Sequence, residues 1–86
     1  MNEAVNEKVS VVTIFNTEKG TVMPWKLRWR GRDYCVTRLG FHHTLRQGKT
    51  LLHIFSVTTH SLAFKLKLDT DTLHWTLEEV YDPSTS

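Results

Sequence analysis

The sequence predicts an all-β fold: a single antiparallel meander of five to six strands, strongly twisted and able to curl into a partly open barrel. Three observations predict it. Apolar residues recur with a period of two along most of the chain, as in strands with one buried face. No window keeps apolar residues at i, i+3, i+4 and i+7, the stripe that a packed helix needs. Short clusters of Gly, Asn, Asp and Thr separate the alternating runs and suit hairpin turns. Successive twisted strands then curl rather than lie flat.

Six strands follow, at about 8–15, 23–30, 33–42, 50–57, 61–68 and 73–81. The first, rich in Val, Ile and Phe, stands apart behind the loop 16–22, which contains Gly20. In the second, Trp25, Leu27 and Trp29 alternate with Lys26, Arg28 and Arg30. A two-residue turn centred on Gly31 and Arg32 sets Trp29 against Tyr34 and Leu27 against Val36, in a type II′ hairpin. Strand 33–42 turns near Gln47-Gly48 into strand 50–57. A turn at Thr59-His60 sets Val57 against Leu62 and Phe55 against Phe64. A four-residue turn at 69–72 sets Leu66 against Trp75 and Phe64 against Leu77. A slip of one residue would break every one of these apolar pairs. The implied core is Trp25, Leu27, Trp29, Tyr34, Val36, Phe55, Val57, Leu62, Phe64, Leu66, Trp75 and Leu77.

Eighty-six residues, 40% hydrophobic and 23% charged, fit one globular domain and not a disordered chain. The domain spans 1–86, with an ordered core over about 8–82 and loose ends at 1–6 and 83–86. A single cysteine, Cys35, excludes an internal disulfide and fits a reducing, cytoplasmic setting. The first residues, MNEAVNEKVS, do not read as a signal or transit peptide. No apolar run is long enough to span a membrane.

Charge is uneven. Residues 1–18 carry a net −2, residues 19–67 a net +9 and residues 68–86 a net −5. A basic middle between acidic ends suits a nucleic-acid surface. It equally suits an acidic last strand that neutralises its basic neighbours across the sheet. The basic-face candidates are Lys26, Arg28, Arg30, Arg32, Lys65 and Lys67. The run W-K-L-R-W-R-G-R interleaves cations with aromatic residues, but alternation sends Trp25 and Trp29 to the face opposite Lys26, Arg28 and Arg30. What remains is an electrostatic, salt-sensitive contact.

Strand 50–57 is apolar on both faces. Pairing about Gln47-Gly48 sets Phe41 against Ile54 and gathers Leu39, Phe41, Leu52 and Ile54, with Cys35, on the face away from the core. Four such side chains in water would forgo about 1.5–3 kcal/mol each. The patch is therefore expected to be covered by the first strand or by a second copy of the chain. The same register sets His42 against His53, the only candidate metal pair. Zinc wants three or four ligands, and no carboxylate stands near. Cys35 reads as a small hydrophobe and not as a nucleophile. Glu78 and Glu79 are neighbours expected on opposite faces. No nucleophile elbow or phosphate-cradling loop is present. No catalytic residue and no cofactor is assigned.

At W-R-G-R-D-Y-C-V (29–36) and W-T-L-E-E-V-Y-D (75–82) the chain resembles a family of small uncharacterised bacterial all-β proteins with the pattern W-x-G-R-x-Y-x-V followed by W-x-L-x-x-V-Y-D. The resemblance covers about residues 23–82. It implies a compact β domain without an assigned activity and a bacterial or similar cytosolic source. The segment 41–48 and the first strand lie outside the pattern.

The leading functional expectation is a non-catalytic interaction module that self-associates as a homodimer or binds a protein partner. The alternatives are weak nucleic-acid binding on the basic strand faces and a metal site at His42 and His53.

Overall fold

The computed structural model describes residues 2–82. Seven strands run in chain order: β1 (Asn2–Asn16), β2 (Thr21–Trp29), β3 (Arg32–Cys35), β4 (Arg38–Gln47), β5 (Thr50–Thr58), β6 (Ala63–Asp69) and β7 (Trp75–Tyr81). They form one antiparallel sheet in the order β3-β2-β1-β7-β6-β5-β4, and the sheet is not closed. Seven strands replace the expected five to six because the stretch read as one strand, 33–42, changes partner midway. The Val36 amide still donates to the Trp25 carbonyl of β2, whereas the Thr37 amide and hydroxyl both donate to the Thr58 carbonyl of β5. The two edges of the sheet, β3 and β4, are thus separated by only two residues of chain.

The first strand is neither short nor a lid. β1 begins at Asn2, so residues 2–6, expected to be loose, belong to the sheet; the expected loose tail 83–86 lies outside the described residues. Residues 2–9 pair with β7 and residues 10–16 pair with β2. One strand therefore joins the two halves of the sheet.

Every residue of the implied core lies in the buried cluster or packs against it, except Trp25. The cluster is Leu27, Phe55, Val57, Phe64, Leu66, Leu68, Trp75, Leu77 and Val80. Trp29, Tyr34 and Phe64 add edge-to-face and tilted ring contacts at 5.0–6.5 Å between centroids.

The registers differ from expectation by two residues at each hairpin. Leu27 faces Tyr34, Val57 faces Phe64, Leu66 faces Leu77 and His42 faces Phe55. The central residues of the β2–β3 turn are Arg30 and Gly31, with φ of 52° and 77°, which makes it type I′ and not type II′. A two-residue slip leaves each side chain on its own face, so the alternation that predicts the core is blind to it.

Three bulges do change faces. Opposite the step from Val12 to Thr13, β2 holds an extra residue, Trp25, beside Pro24. Proline has no amide to give to a ladder and is accommodated at such irregularities. Trp25 is left 51% exposed. A second bulge at Gly40 turns Leu39 toward the core. A third, in β7 at Glu78, brings Val80 into the core on the same side as Leu77. That bulge also overturns the opposite-face reading of Glu78 and Glu79, since both reach lysines of β6.

Candidate functional site

The expected apolar patch does not exist as a surface. Leu52 and Ile54 are only 4% and 3% exposed, and Leu39 packs on the core. Leu52 and Ile54 are buried within the single chain, away from β1. They line a depression with His43, Leu45, Arg46, Lys65, Lys67 and Glu78. Long side chains lay their aliphatic stems over apolar neighbours in this way while keeping their charges in water. Of the four candidates only Phe41 is exposed; its ring lies 4.9 Å from that of His43. Cys35 is exposed and faces Lys26 across the β2–β3 ladder.

His42 and His53 do meet. Although His42 faces Phe55 in the ladder, its Nε2 lies 2.8 Å from Nδ1 of His53, with one nitrogen donating and the other accepting. The His42 ring stacks on Phe55 at 4.3 Å between centroids and 2° between planes. Burial, with the neighbouring His53 and His43, holds the His42 pKa below the ordinary histidine range. Both rings cannot be protonated in this geometry, because two N–H groups would then point at each other. Two nitrogens bound to one tetrahedral zinc would stand roughly 3.3 Å apart. Among the described residues, no group of three or more His, Cys, Asp or Glu could hold a metal ion. The pair reads as a shared-proton contact that closes one end of the core.

The basic faces are largely neutralised. Arg28 forms a two-pronged pair with Asp33, at 2.7 and 3.3 Å, and Lys26 lies 3.7 Å from the same carboxylate. Arg30 bonds Glu7 at 2.8 Å, while its guanidinium lies 4.6 Å over the Trp29 ring. Glu7 also accepts from the Trp29 indole. These bonds pull the Glu7 and Asp33 carboxyls below the usual carboxylate range. Lys65 pairs with Glu79 at 3.5 Å and Lys67 with Glu78 at 3.9 Å. Of the six basic-face candidates, Arg32 alone has no carboxylate partner among the described residues.

A surface that sequence reasoning missed lies on β1. Its pairing with β7 stops at Val9, and its pairing with β2 starts at Ser10. Among the described residues, no strand pairs with residues 10–16 on the side away from β2. This stretch reads S-V-V-T-I-F-N, without a charge or a proline. Val12, Ile14 and Phe15 are 49%, 47% and 59% exposed. Around the corner, Ile14 joins Met23, Pro24, Trp25, Val36 and Leu39 in an apolar groove of about 250 Å³. Unguarded apolar edges are rare in proteins that must avoid pairing. The terminal edge strand β4, by contrast, is guarded: it carries Arg38, His43 and Arg46 and the bulge at Gly40. The signal was present in the sequence as an uncharged β-branched run. Alternation does not say which edge of a strand is occupied, so it does not reveal that this edge is free.

No family model, no curated protein and no solved structure matches the chain.

Proposed function

We propose that the protein is a non-catalytic interaction module that binds an extended protein segment by adding it as a strand to the free edge of β1. The observation that carries this reading is the unpaired, uncharged, half-exposed edge at residues 10–16. Backbone groups along such an edge give affinity, and alternate side chains give selectivity. The exposed Val12, Ile14 and Phe15 and the groove beside Trp25 supply apolar contacts for those side chains.

The test uses isotopically labelled protein at low concentration and a synthetic peptide of alternating valine and threonine with lysines at both ends. Strand addition predicts amide shifts confined to residues 10–16 and slower hydrogen exchange there. Shifts absent from this edge at millimolar peptide would overturn the reading.

A further inference from the structure

The side-chain order along the free edge of β1 is complementary to itself. Antiparallel pairing of residues 10–16 with a second copy, about a two-fold axis at Thr13, sets Val12 opposite Ile14 of that copy and Val11 opposite Phe15. Ser10 then faces Asn16, polar against polar. Centring the axis on Val12 or on Ile14 instead sets Ile14 against Ser10 or Val12 against Asn16. Only the Thr13 register keeps apolar on apolar and polar on polar.

We infer that the partner of this edge is a second copy of the chain, joined through an antiparallel β1–β1 pair centred on Thr13 that continues the sheet across a two-fold axis. This rests on the strand-addition reading and names its occupant. The geometry permits it. β1 is regular through this stretch, because the bulge at the Val12–Thr13 step lies on β2. Val12 and Ile14, the same-face pair, are each about half exposed and are covered by their counterparts in the pair. An interface of this kind is self-complementary, as a two-fold contact must be. A single pair of seven-residue strands is about 23 Å long. It falls at the small end of protein interfaces, so the dimer is weak and concentration-dependent.

The experiment is sedimentation equilibrium on the full chain from roughly 10 μM to 1 mM, the range in which weak interfaces dissociate. The expected mass rises from 10.0 kDa toward twice that value. Thr13 is exposed and sits at the axis, so Thr13→Lys sets like charges against each other and should weaken the dimer by about tenfold or more. Val12→Lys and Ile14→Glu should each lose self-association. Mixed one to one, they should regain it, because residue 12 of one chain faces residue 14 of the other. Circular dichroism establishes that each variant is folded, and Thr13→Lys alone decides if the other two are not. A wild-type mass that stays at 10.0 kDa throughout would overturn the inference. So would a folded Thr13→Lys protein with wild-type dimerisation, or a mixture that fails to recover it. If the chain stays monomeric while the valine–threonine peptide still binds at residues 10–16, self-pairing alone is wrong. If the peptide also fails, strand addition is wrong with it.

Discussion

At the residue scale, His42 couples the core to pH. Its ring is stacked on Phe55 and shares a proton with His53, and its pKa lies below the unfolded value near 6.5. The unfolded chain therefore binds more protons than the folded one as pH falls past that value. The stabilisation is complete above about pH 6.5 and is lost as pH drops through the lower folded pKa. Glu7 and Asp33 also have lowered pKa values, but their ordinary values of 4.5 and 3.8 confine their effect to more acid solution. The window between pH 5 and 7 thus isolates the histidine. Urea midpoints measured at pH 7.5 and pH 5 should differ for the wild type, and the difference should shrink in His42→Phe, whose ring keeps the stack on Phe55. Equal differences in both proteins would show that His42 does not report on folding.

At the element scale, the hairpins separate what alternation encodes from what it does not. Period two encodes the face of each side chain, and every residue it assigns to the core but Trp25 lies in or against the buried cluster, to which Leu68 and Val80 are added. It does not encode register beyond parity, so all four hairpins between β2 and β7 other than the β3–β4 crossing are two residues away from the expected pairing. Nor does it encode bulges, which is why Trp25, Leu39 and Val80 changed sides. The residue that decides the β2–β3 register is Gly31, whose φ of 77° suits a type I′ turn. A Cβ there would meet nothing within 4 Å, so crowding plays no part. Gly31→Ala should lose about 1–2 kcal/mol through its left-handed backbone alone. Gly40 has no such φ, and its Cβ would lie at an ordinary 3.5 Å from the Ser56 carbonyl. Gly40→Ala should stay within about 0.5 kcal/mol of wild type. Chemical denaturation of the two variants checks both, and the reverse order would refute this account of the two glycines.

At the scale of the whole molecule, β1 holds the sheet together. Its first half pairs only with β7 and its second half only with β2, while Val5, Val9 and Val11 pack against the common core. Deleting residues 1–9 removes two of those valines and the ladder to β7. It leaves β2 and β3 tied to the rest chiefly through the Val36–Thr37 crossing. A small domain has roughly 5–15 kcal/mol of stability in total. The truncated chain should therefore lose its cooperative urea transition. A surviving transition at an unchanged midpoint would mean that β1 adds nothing to the fold. Charge acts at the same scale: Lys65–Glu79 and Lys67–Glu78 set the acidic last strand against its basic neighbour. Exposed pairs of this kind add little stability each. They do lower the positive potential of the face that the charge distribution had offered to nucleic acid.

The sequence by itself determined the strand content, the single antiparallel sheet and the inward faces of its core strands, because side-chain direction in a strand depends only on local backbone geometry. It also placed His42 and His53 on one face and within reach of each other. Tertiary structure decided what depends on distant partners. Leu52 and Ile54 are buried inside the chain, in a depression they share with side chains of β4, β6 and β7, which no local pattern reports. The strand expected as a lid became the seam of the sheet, because pairing between residues some 70 positions apart in the chain, such as Glu7 with Leu77, is set by closure of the whole fold and not by the sequence on either side. The same closure leaves one edge of β1 unpaired at residues 10–16, and that free edge is the surface on which the proposed function rests.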